Sequence, residues 1–422
     1  MSTPPNRGAL LIILDGMGDR PCAQLDGRTP LEYAATPEMD RLVQQGICGL
    51  ATSLTPGFPV DTHTGTAPLF GFSSQATQQL ARGPVEAAGV GMKIEPGDIV
   101  LRANFSTFSE QYQLLDRRAG RIDQGTEALA ARINQIPPID GIEFRFKPAT
   151  GHRGVVRLRG PDLSTAISNT DPGRSPLTTP PQCRPLQNKA SAKCTADAIN
   201  RWSQMVFEAL AQHPVNQQRS REALPAANGV ILRGAGRCLM QNNLLSDLGI
   251  TPMVISAEAT ILGLAALCNF ETFRHPTFTA LPNTNIAAKI AAAEQALSHY
   301  PLVILHFKGT DICAHERDPK GKADFIQAID QALPTLLKKA SAVAITADHS
   351  TSSETGDHCG DPVPSLLYYP GVRRDHCKQF SEVSCMQGGL GTIASSSILL
   401  MLLDGMNWMQ NYRVKDRWMV ES

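Results

Sequence analysis

The sequence predicts an α/β protein: a mostly parallel β-sheet flanked by helices, interrupted by a smaller inserted α+β domain. Three observations carry that expectation. Apolar runs of strand length recur with helical patterns between them, the alternation that builds a parallel sheet covered on both faces. Several of those runs lead into an aspartate. A central stretch breaks the pattern, and 422 residues are more than one hydrophobic core usually organises.

Ala9–Leu14 reads as the first buried strand. Thr36-Pro37-Glu38 then offers an N-cap, a proline at the first helical position and an early acid; Leu42 and Val43 face inward and Gly46 ends the helix. Met253–Ile255, Leu302–Phe307, Ala342–Thr346 and residues 365–369 read as further buried strands, and 398–403 as a buried helix. The middle differs. Short β-like runs at 142–147 and 155–158, many arginines and a poorly patterned Pro- and Ser-rich segment at 171–185 suggest an insertion. The expected division is a discontinuous core of residues 1–97 and 229–422, with residues 98–228 inserted as a cap.

Composition excludes several classes of function. Lysine plus arginine and aspartate plus glutamate number 39 each, so no global field attracts nucleic acid or an anionic membrane. No apolar stretch is long enough to span a bilayer, and the short run before Asp15 does not make a signal peptide. Ten scattered cysteines without a C-x-x-C pair suit reduced thiols in a cytoplasmic protein. A homo-oligomer is compatible with all of this.

The chemistry lies at the strand ends. The first run delivers Asp15, opening D-G-M-G-D; Leu302–Phe307 leads through Lys308 to Asp311, with His315 four residues on; Ala342–Thr346 delivers Asp348-His349. Ligands of open α/β sheets bind beyond the carboxyl ends of the strands, so these acids should converge. Converging carboxylates repel unless a cation sits among them, and adjacent imidazoles make that cation a metal such as zinc, manganese or iron. Asp311 and His315 share one face of a helical turn, and His358 in a Gly- and Asp-rich loop completes six ligands. Six suffice for two metals, the usual clamp for phosphoryl displacement. A hydroxyl activated by metal would then serve as nucleophile. The loop Asp61-Thr-His-Thr-Gly-Thr offers Thr62, Thr64 and Thr66, and residue chemistry does not choose among them.

Longer motifs run the length of the chain: LDGMGDRP, RTPLEYAATPEMDRL, RGPVEAAGVGMKIEPGDIVLRANFST, DRRAGRI, HPVN, LRGAG, KGTDICAHERDPKGK, ITADHST and DHCGDPVP. In this order they resemble the archaeal-type cofactor-independent phosphoglycerate mutases, metalloenzymes of the alkaline phosphatase superfamily. The resemblance implies an alkaline-phosphatase-like core and two divalent metals, manganese or zinc first, with magnesium or cobalt as alternatives. It assigns Asp15, Asp348 and His349 with the nucleophile to one metal, and Asp311, His315 and His358 to the other. Alignment with the family's G-S-D-T-A-H-type motif makes Thr62 the nucleophile. Here the chain departs from the pattern: Thr62 stands for the serine, His63 for the following aspartate and Thr66 for the histidine.

A small phosphorylated acid calls for guanidinium groups, and Arg102, Arg117, Arg118, Arg121, His152 and Arg153 look like that set, with Lys308 as a point charge on phosphate. The expected reaction interconverts 3- and 2-phosphoglycerate through a phosphothreonine. The first rival is a hydrolase of a small phosphomonoester or phosphonate on the same scaffold. The second, a non-catalytic metal-dependent binding protein, would be favoured by lost ligands, and none is lost.

Overall fold

The computed structural model describes residues 8–173, 182–238 and 243–410. Residues 174–181 of the poorly patterned segment lie outside that range. The chain divides into two compact units, residues 1–80 with 241–422 and residues 81–240. The second unit begins earlier and ends later than the boundaries read from the sequence. Its helix Arg82–Gly89 packs on the unit's own sheet: a Cβ at Gly83 would lie 2.5 Å from the Val100 carbonyl oxygen, an approach only glycine permits.

The first unit opens with β1 (Ala9–Leu14) and β2 (Ile47–Thr52). The second unit holds β3 (Ile99–Phe108), β4 (Leu114–Asp116), β5 (Glu143–Pro148), β6 (Arg153–Arg159) and β7 (Gly229–Arg237). The chain then returns to the first with β8 (Met253–Ile255), β9 (Glu271–Phe273), β10 (Leu302–Phe307) and β11 (Ala342–Thr346). It ends with β12 (Ser350–Ser352), β13 (Asp357–Cys359), β14 (Val363–Tyr368) and β15 (Thr392–Ala394).

The main sheet of the first unit has the order β15-β2-β14-β11-β1-β10-β8-β9. At its centre β1 pairs in parallel with both β10 and β11, and every residue of these three strands is buried. That burial on both faces is why they read as unbroken apolar runs rather than alternating ones. Their common direction brings Asp15, the segment after Phe307 and the segment after Thr346 to one edge. β14 alone runs against its neighbours β11 and β2. The helix expected after Thr36 spans Pro37–Gln45, but Thr36 does not cap it. The Thr36 hydroxyl turns to Asp40 at 3.4 Å, and the amides of Glu38 and Met39 donate to the Asp330 carboxylate at 3.1 and 2.8 Å. A residue remote in sequence thus replaces the local cap. The expected C-terminal helix is Ser395–Gly405.

In the second unit β3 is the middle of a five-stranded antiparallel sheet, flanked by β6 and β7. The helix Ala190–Ala211 buries Trp202, which stacks on Phe144 with ring centroids 5.1 Å apart. This unit therefore has its own core. No helix among the described residues is long and apolar enough to cross a membrane.

Candidate metal centre

Two side-chain triads in the first unit bring their ligand atoms within 4.8 Å of one another: Asp311 with His315 and His358, and Asp15 with Asp311 and His349. The first is the triad expected for one metal. The second shares Asp15 and His349 with the other expected set, while Asp348 lies beside it, its Oδ2 3.3 Å from His349 Nε2. All three aspartates and His349 are buried.

Local backbone explains how these groups come so close. Asp15 directly follows β1, and Gly16 comes next at φ 62°; a Cβ there would sit 2.7 Å from Asp311 Oδ1 and 2.6 Å from Thr351 Oγ1. The D-G pair is thus required by packing at the centre. Gly65 plays the same part for the short helix Thr62–Thr66, where a Cβ would meet the Asp348 carbonyl oxygen at 2.3 Å.

The imidazoles show what the centre demands. His315 Nδ1 lies 2.7 Å from the Gly356 carbonyl, and His358 Nδ1 lies 2.7 Å from that of Val60. A carbonyl only accepts, so both Nδ1 atoms carry hydrogen, and each neutral ring presents an Nε2 lone pair. Those lone pairs face Asp311, at 3.3 Å for His315 and 3.6 Å for His358. Two acceptors so placed need a proton or a cation between them. Asp311 raises His315 above its ordinary pKa, whereas burial and then the charge of His349 hold His358 below its own, so His358 stays neutral. A metal satisfies both rings. Fixing Nδ1 on a carbonyl is how metal-ligating histidines are usually oriented.

His349 follows the same logic. Thr351 Oγ1 donates to Asp311 Oδ1 at 2.7 Å and accepts from His349 Nδ1 at 3.1 Å. His349 Nε2 then points at Asp15 Oδ1 and Thr62 Oγ1, each at 3.4 Å. Burial alone would lower the His349 pKa, but Asp348 and Asp15 outweigh it and lift it to about 9. Burial and the neighbouring Asp15 push Asp348 up to about 6. The residues present therefore fit divalent cations in donor type and charge.

Of Thr62, Thr64 and Thr66, Thr62 reaches this cluster. Its hydroxyl lies 3.1 Å from Lys308 Nζ, besides its contact with His349. Thr64 faces His63 Nε2 at 3.4 Å. Thr66 is fully buried, and its Oγ1 has no hydrogen-bond partner among the described residues. A cleft of about 570 Å³ lined by Phe58, Asp61, Thr64, His315 and His358 adjoins the centre.

Lys308, expected as a point charge on phosphate, lies at the edge of this cluster, within reach of Thr62. Its ammonium lies among carboxylates, 3.0 Å from Asp15 Oδ1 and 2.7 Å from Asp311 Oδ2. Sequence reasoning missed three supporting side chains. His306 Nε2 lies 3.0 Å from Asp15 Oδ2, and its Nδ1 meets Ser256 Oγ at 3.2 Å. Thr310 donates to the Asp15 carbonyl, and Thr351 bridges Asp311 and His349. The available signal was period two: His306 and Lys308 share one side of the chain leaving β10.

The second unit gathers part of the expected anion-binding set. The charges of Arg153, Arg118 and Arg121 all act on His152, whose pKa is lowered first by burial and then by them. The three arginines are exposed. Arg102 and Arg117 are engaged elsewhere: Arg102 Nε donates to Glu86 Oε2 at 3.0 Å and Arg117 Nε to Asp171 Oδ1 at 2.7 Å.

Comparison with known proteins agrees with this chemistry. The metalloenzyme superfamily model matches residues 7–405. A 2,3-bisphosphoglycerate-independent phosphoglycerate mutase of Archaeoglobus fulgidus is 38% identical over 407 residues, covering 94% of this chain and 98% of that protein. Among solved structures, a Pyrococcus horikoshii protein superposes with a TM-score of 0.81 at 32% identity, covering 96% of this chain and 99% of its own. A cofactor-independent phosphoglycerate mutase from Thermoplasma acidophilum gives 0.72 at 30% identity, covering 94% and 99%. The chain belongs to the metalloenzyme superfamily and, within it, to the family of 2,3-bisphosphoglycerate-independent phosphoglycerate mutases.

Proposed function

We propose that the protein interconverts 3-phosphoglycerate and 2-phosphoglycerate by phosphoryl transfer through Thr62, at a centre for two divalent metals, manganese or zinc in first place. The observation that supports this most is the set of imidazole lone pairs facing carboxylates, with the Thr62 hydroxyl at its rim. The names of the relatives support the substrate. Asp15, Asp348, His349 and Thr62 would hold one metal, and Asp311, His315 and His358 the other. When bound, such metals lower the pKa of a coordinated hydroxyl and neutralise phosphoryl charge.

The chain's own groups do the rest. Thr62 Oγ takes the phosphoryl group from one glycerate oxygen, which leaves with a proton; the other glycerate hydroxyl then gives up its proton and takes the phosphoryl group from Thr62. Atoms balance without water. His306 fixes the Asp15 carboxylate and Thr351 fixes His349. Lys308, within reach of Thr62, supplies positive charge for phosphate. In the second unit Arg118, Arg121, His152 and Arg153, with Arg102 and Arg117, would recognise the anionic substrate. All ten cysteines are free thiols, which supports a reducing, cytoplasmic setting.

One observation favours a second reading, hydrolysis of a small phosphomonoester or phosphonate. The family's serine is Thr62 here, whose added methyl is stiff at χ1 and crowds the second attack, and His63 and Thr66 replace two further motif positions. Incubating manganese-loaded protein with 3-phosphoglycerate and recording phosphorus NMR separates the readings. Formation of 2-phosphoglycerate without free phosphate is expected. Free phosphate with glycerate would establish the hydrolase, and an unchanged spectrum with metal bound would reject this substrate.

A further inference from the structure

A third cluster of metal-ligating side chains lies far from the centre just described. Cys48, Asp375 and Cys377 bring their ligand atoms within 4.8 Å of one another. Cys48 sits near the start of β2, whereas β2, parallel in sense to β1, leads at its other end toward Thr62. Through β14 and β11 the register sets Cys48 level with Ile12, three strands across the sheet from β1, so the cluster lies apart from Asp15.

The backbone builds this cluster in detail. The Asp375 carboxylate accepts three amides: Cys48 N at 2.8 Å, Gly389 N at 3.0 Å and Cys377 N at 3.0 Å. A carboxylate offers about four lone-pair sites, so one remains for a further bond. The Leu390 amide closes on the Cys48 carbonyl at 3.0 Å. A Cβ at Gly388 would lie 2.1 Å from that carbonyl oxygen and 2.9 Å from Cys48 Sγ, so glycine is needed for the segment to fold over the sulfur. Cys48 Sγ also contacts the thiol of Cys385.

We propose that Cys48, Cys377 and Asp375 form a binding site for a thiophilic divalent cation, zinc by donor type, which staples the segment 375–391 onto β2. Two sulfurs and one oxygen match zinc's usual ligands, and water or Cys385 takes the fourth tetrahedral position. Binding displaces two thiol protons, leaving two thiolates and one carboxylate around the metal. The oxygen- and nitrogen-rich centre at Asp311 selects differently, so the protein carries two kinds of metal site.

The test uses the full chain, stripped with a chelator, kept reduced with a phosphine and titrated with cadmium. A sulfur-to-cadmium charge-transfer absorption saturating at one equivalent is expected. Cys377→Ser, at a half-buried position, should abolish the band or weaken cadmium binding at least about tenfold, while His315→Ala leaves it intact. Zinc should raise the thermal midpoint of His315→Ala by more than that of His315→Ala/Cys377→Ser, in which only the ligands at Asp15, Asp348 and His349 remain. A full-strength band in Cys377→Ser, or no band in the unsubstituted protein, overturns the proposal.

Discussion

Replacing Lys322 by methionine is expected to destabilise the first unit by about 3 kcal/mol. The lysine is fully buried, and its ammonium donates to Asp19 Oδ2 at 2.8 Å, the Thr351 carbonyl at 2.9 Å and the Gly18 carbonyl at 3.3 Å. Removing one partner of a buried ion pair costs about 3–5 kcal/mol, because the other charge stays behind without compensation. Asp19 would keep the amide and hydroxyl of Ser353, at 3.0 and 2.6 Å, which places the loss at the lower end. Urea denaturation of chelator-treated protein measures it, with an unchanged m-value showing that the unfolding transition is the same. Lys322→Met/Asp19→Asn should recover part of the loss, since no charge is then stranded. A single-variant loss below about 1 kcal/mol, or a double variant less stable than the single, would refute the reasoning. The pair also ties the D-G-M-G-D loop to Thr351, so the single variant should bind divalent metal more weakly.

Thr62→Ala should lower phosphoglycerate interconversion by about a thousandfold or more even at saturating metal, where Asp15, Asp348 and His349 still hold the ion; NMR turnover and elemental analysis read the two separately. His306→Phe removes the hydrogen bond that fixes Asp15 and should weaken metal binding about 10–100-fold in chelator competition, with circular dichroism unchanged. Lys289, buried with one hydrogen bond to the His306 carbonyl, has its pKa lowered by burial to about 8. Between pH about 8 and the unfolded value near 10.5 the unfolded chain binds more protons, so stability should rise with pH across that window. In denaturation midpoints that rise should be absent from Lys289→Met.

The sheet centre was legible because β1, β10 and β11 are buried on both faces and appear as uninterrupted apolar runs, each leading toward a metal-centre aspartate. β3 was not, since Arg102 and Asn104 interrupt its apolar residues and its length depends on two antiparallel partners. Six ligand candidates came from strand ends and helical spacing, and the choice of Thr62 among three threonines required the family pattern. The role of His306 was hidden for a different reason. A histidine inside a strand has no motif of its own, and only the parallel register, which sets Ile13 opposite His306, brings it beside Asp15. The capping of Pro37–Gln45 by Asp330 is of the same kind, a contact made by tertiary packing between distant residues.

The position of Lys308 bears on how the centre is assembled. Three buried carboxylates at the end of a sheet would otherwise drive the strands apart, yet this tethered ammonium lies within 3.0 Å of two of them and touches the hydroxyl beside them. It serves as an internal counter-ion on a flexible stem. The carboxylates therefore have a counter-charge from the protein itself, and cations held by Asp15 and Asp311 would share them with an amine rather than with water alone.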